Sequence, residues 1–123
     1  MGTYNCAKIW TSATNGYYVV CSDHTTSATW STAIGYSVSQ GGNTFTCGSK
    51  SDWEAIMSAC GGTGWSYINS KCSDVTGWSD MSGYYWSSTQ YSNSTYLAWL
   101  LGGTSWYSDN KDKNYRVRLV SAF

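Results

Sequence analysis

Proline is absent from this chain of 123 residues, and the formal net charge at pH 7 is zero. Thirteen glycines must therefore supply the turns that proline often helps to form. Binding to a nucleic-acid phosphate backbone depends on an excess of basic side chains, which this chain lacks. We therefore expect no nucleic-acid partner.

Long apolar segments are also missing, and no run approaches the length of a membrane span. We expect no membrane insertion. The segment from Met1 to Cys6 lacks the basic and apolar regions of a secretory signal. Two routes outward stay open, namely removal of a signal or assembly into a virus particle, and we expect an extracellular or virion-surface location.

Groups for catalysis and metal binding are scarce. His24 is the only imidazole, and no serine lies in the Gly-x-Ser-x-Gly pattern of a nucleophile elbow. Asp52 with Glu54 is more simply read as a helix cap than as a catalytic carboxylate pair. We expect no catalytic residue, no metal and no cofactor, and hence a protein that is not an enzyme.

The cysteines are odd in number and form no Cys-x-x-Cys pair, which disfavours a zinc site. Their positions predict one or two disulfides with the remaining thiols buried, although the spacing leaves the pairing open. The five are Cys6, Cys21, Cys47, Cys60 and Cys72.

Aromatic residues are abundant and unevenly distributed by type: eight Trp and eleven Tyr stand against two Phe. Trp and Tyr bury large areas yet keep a polar group, so they suit both cores and recognition surfaces. The length fits one domain spanning residues 1–123.

Turn and helix signals organise the first half of the chain. Asn15-Gly16 between two β-type runs predicts a hairpin. The spacing of Trp30, Ala33, Ile34 and Val38 predicts a helix that ends at Gly41-Gly42.

A second helix is predicted to begin at Ser49 or Ser51, with Ser51 to Glu54 in the form of a capping box. Trp53, Ile56, Met57 and Cys60 would share its buried face, and Gly61-Gly62 would end it.

Helical periodicity disappears after Gly61. Residues 83–89, 96–101 and 114–120 are predicted to form short antiparallel strands joined by polar loops. An early hairpin, two helices and then short strands predict an α+β fold with a loop-rich C-terminal half.

Four segments carry a resemblance to a known family. They are Ser49–Met57, Cys60–Gly62, the Tyr-Tyr-Trp-Ser-Ser-Thr run at 84–89, and Arg116-Val117-Arg118. Together they resemble a bacterial and phage domain family of unknown function that is distantly akin to formylglycine-generating enzymes. The resemblance covers roughly residues 27–123 and implies a C-type-lectin-like fold. One departure is Thr46-Cys47-Gly48-Ser49, where family members usually carry Arg-Leu-Pro-Thr.

Within that family, the chain looks most similar to variable proteins of diversity-generating retroelements. Their variable stretch lies between the two C-terminal segments, which corresponds here to residues 91–115, with 1–90 and 116–123 as framework. Most side chains of this interval can be reached from an asparagine codon by changing adenines. Trp106 cannot, so it is expected to be a fixed scaffold position.

The composition of residues 91–115 points independently to recognition, because Tyr gives rigid contact area and Ser, Asn and Gly give adaptable hydrogen bonds. Leu100, Leu101 and Gly102-Gly103 would form an apolar floor. The predicted ligand-binding residues are Tyr91, Ser92, Asn93, Thr95, Tyr96, Leu100, Gly102, Thr104, Trp106, Tyr107, Ser108, Asp109, Asp112, Asn114 and Tyr115.

The sequence therefore predicts a ligand-binding display protein that recognises a protein or glycan on a host or cell surface. One alternative is a structural or fimbrial bacterial surface domain that assembles with itself. Another reading of the C-terminal interval is loop-rich packing with no recognition role.

Overall fold

The computed structural model describes residues 4–123, which form ten strands and three helices. Residues 1–3 lie outside this range, and they are part of the segment from Met1 to Cys6 that is predicted to lack a secretory signal. The strands are β1 (Cys6–Trp10), β2 (Gly16–Val20), β3 (Thr25–Ala28), β4 (Ser37–Gln40), β5 (Asn43–Cys47), β6 (Tyr85–Gln90), β7 (Leu97–Leu101), β8 (Trp106–Asn110), β9 (Tyr115–Val117) and β10 (Leu119–Ala122). The helices are α1 (Trp30–Ala33), α2 (Lys50–Cys60) and α3 (Trp65–Cys72).

The strands form two five-stranded sheets. The first sheet has the order β1-β2-β10-β5-β4, and the second has the order β3-β9-β6-β7-β8. None of the three described helices combines the length and the apolar character needed to cross a membrane.

The predicted α+β, C-type-lectin-like fold with two helices and a loop-rich C-terminal half is wrong. The described chain is β-rich, and residues 85–122 contain five strands. Strand β8 is the main element that the sequence did not predict, because its polar and aromatic residues are typical of a loop. It pairs with β7 in continuous antiparallel register, from Leu101 opposite Trp106 to Leu97 opposite Asn110.

The first predicted helix is also mostly wrong. Within the predicted segment only α1 (Trp30–Ala33) is helical, and residues 37–40 form strand β4. Gly41 and Gly42 have φ values of 60° and 83°, and they turn the chain directly into β5. Two consecutive positive φ angles are typical of a two-residue hairpin turn, so the glycine pair joins strands here and does not end a helix.

The first hairpin and helix α2 are confirmed, although Gly16 already pairs with Trp10 and the loop is formed by residues 11–15. The predicted capping box from Ser51 to Glu54 is wrong. The cap of α2 is Ser49, and its hydroxyl accepts a hydrogen bond from the Asp52 amide at 3.0 Å. The Asp52 carboxylate accepts one from the Ser49 amide at 3.0 Å, which completes a capping box. The Tyr17 hydroxyl donates to the same carboxylate at 2.7 Å and links α2 to the first hairpin.

Helix α3 was not predicted, because its residues are weak helix formers and its N-cap is Gly64. The helix is fixed by tertiary contacts. The amides of Trp65 and Ser66 donate to the carbonyls of Gly102 and Gly103, each at 3.0 Å. The turn between β7 and β8 thereby satisfies two of the free amides at the start of α3.

Central strands are buried on both faces, so neighbouring residues on one strand enter different core clusters. Tyr85 and Leu101 belong to the cluster beneath α2 and α3. Trp86 and Leu100 belong to the cluster on the other side of the second sheet. Alternation along a strand explains this division.

The segment at 86–89 connects several elements through hydrogen bonds. The Trp86 indole donates to the Ala28 carbonyl at 2.8 Å, and the Ser87 hydroxyl donates to the Trp99 carbonyl at 2.9 Å. The Thr89 hydroxyl accepts from the first amide of α2, that of Lys50, at 2.9 Å. The segment therefore connects β3, β7 and the start of α2, and its role is structural.

A buried ion group lies where the chain passes from the second sheet to the first. Arg118, between β9 and β10, is 1% exposed. Its guanidinium is 2.9 Å from the Asp23 carboxylate, and Arg116 reaches the other Asp23 oxygen at 2.8 Å. Arg118 also donates to the Cys21 carbonyl at 3.3 Å and lies 4.8 Å from the centre of a Trp78 ring. A buried charge without its partner is strongly destabilising.

We expect Asp23→Ala to lower the free energy of unfolding by about 3–5 kcal/mol, since it leaves the Arg118 charge buried and unpaired. Urea denaturation measures the change. Glu54→Gln is the control, because it disrupts only the partly exposed Lys50–Glu54 pair and should cost about 0.5 kcal/mol or less. Equal losses in the two variants would contradict a structural role for the ion group.

Candidate ligand-binding face

The hairpin of β7 and β8 divides the predicted binding interval between two faces of the second sheet. Leu100 lies opposite Tyr107, and Leu101 lies opposite Trp106. Because successive side chains alternate across a strand, Tyr107 and Asp109 share a face with Leu100. Trp106 and Ser108 are directed to the other face, so residues 91–115 do not present a single surface.

Three tyrosines from separate parts of the chain meet on the first of these faces. Tyr84, Tyr107 and Tyr115 line a pocket of about 210 Å³ together with Leu100 and Ser108. We call this the tyrosine pocket. The Tyr84 ring is 5.2 Å from Tyr107 at 83° and 6.0 Å from Tyr115 at 82°. Both contacts have the edge-to-face geometry that aromatic pairs prefer.

The base of the tyrosine pocket is fixed by packing. Leu100 is buried in the core cluster of the second sheet, and the Tyr115 ring contacts the Trp86 indole at 5.2 Å and 87°. The Trp86 indole is itself fully buried. Tyr107 and Tyr115 are therefore carried by strands β8 and β9, and Tyr84 lies immediately before β6.

A carboxylate lies beside the tyrosine pocket. The Tyr115 hydroxyl donates a hydrogen bond to Asp109, and the Asn110 amide donates to the other carboxylate oxygen at 2.7 Å. The bond from Tyr115 is the main cause that lowers the pKa of Asp109 below its ordinary value, and Lys113 contributes. The same bond raises the pKa of Tyr115 to about 12. At neutral pH this edge of the pocket therefore carries a negative carboxylate and a neutral phenol.

Two phenol groups of the tyrosine pocket are open to a ligand. Tyr84 is 42% exposed and Tyr107 is 45% exposed. Neither hydroxyl takes part in a hydrogen bond among residues 4–123. Each can donate to or accept from a bound molecule.

Trp106 lies on the opposite face in a cluster with Trp99 and Lys50. The two indoles are 6.2 Å apart, and the Lys50 ammonium lies 4.7 Å from Trp99 and 5.0 Å from Trp106. Tyr91 joins through Trp99 at 4.5 Å. Trp106 also borders a separate groove of about 290 Å³ along α2. Trp106 and Tyr91 therefore belong to different surroundings from Tyr107, whereas Ser108 still borders the tyrosine pocket.

Other predicted binding residues lie in turns. The turn between β6 and β7 exposes Ser92, Asn93, Thr95 and Tyr96, and Tyr96 is 72% exposed. Ser92 has a φ of 48°, a left-handed conformation that asparagine tolerates better than most residues. None of the four lines the tyrosine pocket.

The remaining predicted residues are divided between surface and interior. Thr104, Asp112 and Asn114 are exposed in the turns that flank β8. Gly102 is buried, and its carbonyl accepts the hydrogen bond from Trp65 at the start of α3. A side chain at Gly102 would meet the Tyr107 ring, so this position shapes the pocket from beneath.

Tyr84 lines the pocket but lies outside the predicted binding interval of residues 91–115, because it belongs to the segment assigned to the framework. Alternation places the side chain of Tyr84 on the same face as Trp86 and opposite to Tyr85. Trp86 is buried within the strand, whereas Tyr84 precedes the strand and is 42% exposed.

Reactive groups elsewhere offer little chemistry. All five cysteines are free thiols, so the predicted disulfides are not found. Burial raises the pKa of Cys47 to about 12 and of Cys60 to about 11, which keeps these groups protonated at neutral pH. The His24 ring packs against Tyr36 at 4.3 Å. Across residues 4–123, no three His, Cys, Asp or Glu side chains gather in a way that would hold a metal ion.

No protein-family model matches this chain, and no curated protein matches its sequence. The resemblance to retroelement variable proteins therefore depends on the sequence segments alone.

We expect Gly64→Ala to destabilise the protein by about 3 kcal/mol or more. Gly64 has a φ of 100°, and an added methyl would overlap the Gly103 carbonyl, separating α3 from the hairpin that carries Tyr107. Gly41→Ala is the matched control, with a φ of 60° and open space around it. It should cost about 1–2 kcal/mol. If urea denaturation gives equal losses, the contact between α3 and the hairpin contributes nothing.

Proposed function

We propose that this chain is a non-catalytic binding domain whose recognition site is the tyrosine pocket. One observation carries the proposal. Tyr84, Tyr107 and Tyr115 come from separate segments and converge on a pocket that no side chain of the described chain fills. Two of their hydroxyls are unpaired, and their rings are supported by the sheet.

The physical chemistry of the pocket suits recognition. Tyrosine supplies a large contact area with only two side-chain torsions to restrict, so little entropy is lost on binding. Rings already held by Trp86 and Leu100 lose still less. An apolar floor with a few polar groups at the rim is the usual composition of a small ligand site.

We propose that the ligand is a protein or glycan on a cell surface and that the domain is displayed outside the cell or on a virion. Aromatic rings with free hydroxyls stack on sugars and on peptide side chains alike. The zero net charge supports neither nucleic acid nor an anionic membrane as the partner.

We further propose that residues 91–115 form a segment diversified by a retroelement. Under this proposal Tyr107 and Tyr115 are variable, while Tyr84 is a fixed wall of the pocket. Buried positions inside the interval, such as Leu100 and Leu101, would stay constant, because they belong to the core.

Truncation of two pocket tyrosines tests the binding site. We expect Tyr84→Ala/Tyr107→Ala to weaken binding by roughly 30-fold or more, the loss that corresponds to a binding hot spot. The melting temperature should change little, because both rings are about half exposed. A labelled, multimerised domain on a glycan array and on a panel of intact cells measures binding.

The control for that experiment is Tyr67→Ala on α3, since Tyr67 is 43% exposed but lies away from the pocket. It should bind like the unmodified domain. Undiminished binding by the double variant would place recognition elsewhere.

The gene neighbourhood tests diversification. We expect a reverse-transcriptase gene beside a near-copy of the coding segment for residues 84–123, with differences confined to template adenines. Long-read sequencing of the source genome shows the arrangement. Neighbouring fimbrial or lipoprotein genes with no near-copy would instead indicate a fixed surface domain.

The alternative function, self-assembly as a structural domain, is favoured by one observation. Strand β8 is an edge of the second sheet, and an unpaired edge can accept another strand. Sedimentation over a range of concentrations separates the two functions. Growing polymers would favour assembly, whereas a species of constant size would favour ligand binding.

A further inference from the structure

Lysine side chains cover several surface aromatic groups of this protein. The Lys8 ammonium lies 4.6 Å from the Trp10 ring and 4.8 Å from the Phe123 ring. Lys50 covers the cluster of Trp99 and Trp106 in the same way, and Lys111 lies 4.3 Å from the Trp30 ring. These cations are attracted by the electron-rich ring faces.

The tyrosine pocket has no such cation. Among residues 4–123, no lysine or arginine lies over the ring of Tyr84, Tyr107 or Tyr115. Arg116, the nearest arginine in sequence, directs its guanidinium to Asp23 at 2.8 Å. The ring faces are therefore available to a cation from outside.

The arrangement of the rings suits a cation. Tyr84 stands nearly perpendicular to both Tyr107 and Tyr115, so the rings form adjoining walls around the space above Leu100. Asp109 adds a carboxylate at the edge, held by the Tyr115 hydroxyl. Aromatic walls with a nearby negative charge form the type of site that binds quaternary ammonium groups.

We propose that the tyrosine pocket binds a quaternary ammonium group, carried by a choline head group or by a trimethylated lysine. This inference rests on the proposed binding function and names the ligand chemistry of the same site. A primary ammonium fits less well, because it needs hydrogen-bond acceptors for three donors when it leaves water. The pocket lining contains neutral hydroxyl groups but no carboxylate that could bond a primary ammonium directly, because Asp109 lies at the edge and not in the lining. A methylated ammonium needs no such acceptors.

Titration with small probes tests the charge requirement. Tetramethylammonium and choline are compared with 3,3-dimethylbutan-1-ol, which has the shape of choline without its charge. We expect both cations to shift the NMR signals of the pocket tyrosines and to bind about tenfold or more tightly than the neutral alcohol. Equal affinity for the alcohol, or no binding of either cation, would overturn the inference.

Substitutions at the pocket separate the ring from its hydroxyl. Tyr107→Ala should reduce choline affinity about tenfold or more, whereas Tyr107→Phe should retain most of it, because the ring face remains. Asp109→Asn should weaken binding by a few-fold through loss of the charge. Tyr67→Ala is the control outside the pocket. If Tyr107→Phe lost as much affinity as Tyr107→Ala, the probe would be bound by the Tyr107 hydroxyl and not by the ring face, which would overturn the inference.

Two further probes distinguish the source of the group. Phosphocholine and a trimethyllysine peptide are titrated in parallel, each against its unmethylated amine, and the tighter of the two methylated probes identifies the source. Loss of the cation site alone leaves the proposed function intact. If no cation binds but Tyr84→Ala/Tyr107→Ala still weakens binding to cells or glycans, the cation inference fails and the proposed binding function stands.

Discussion

A buried arginine, Arg118, lies where the chain crosses between the two sheets, and its ion pair with Asp23 holds that crossing. The chain leaves the second sheet after Val117 and enters the first at Leu119, with Arg118 at the crossing. A charge at that depth requires a partner, which Asp23 provides while also binding Arg116. Because Tyr115 precedes Arg116 on the same short strand, the ion group that fixes the crossing also fixes one wall of the tyrosine pocket.

The parts of the fold that could be predicted from sequence depend on contacts between near neighbours. Helix α2 was visible because Ser49 and Asp52 cap it locally and its apolar residues share a face. The first hairpin was visible for a similar reason, because Asn15-Gly16 lies where its loop meets β2. Helix α3 and strand β8 are held by distant partners, namely the Gly102 and Gly103 carbonyls and the backbone of β7. No local pattern signals such partners, so the β-rich architecture was underestimated.

The candidate site shows the same limit at the level of single residues. Composition identified residues 91–115 as rich in recognition side chains, and Tyr107, Tyr115 and Leu100 do line one pocket. Composition could not show that Trp106 and Tyr107, adjacent in sequence, lie on opposite faces, because that depends on the register of β8 against β7. Tyr84 belongs to the segment at 84–89 that the sequence assigns to the framework, yet its side chain lines the pocket.

The fixed register of β8 also limits how such a surface can evolve. Inserting or deleting one residue in the strand would exchange its two faces, moving Tyr107 toward the helices and Trp106 into solvent. Antibody loops vary freely in length, but this hairpin cannot, since its turn is bound to α3. New specificities must arise by exchanging side chains at constant length. A process that rewrites single bases and leaves the reading frame intact is suited to that constraint.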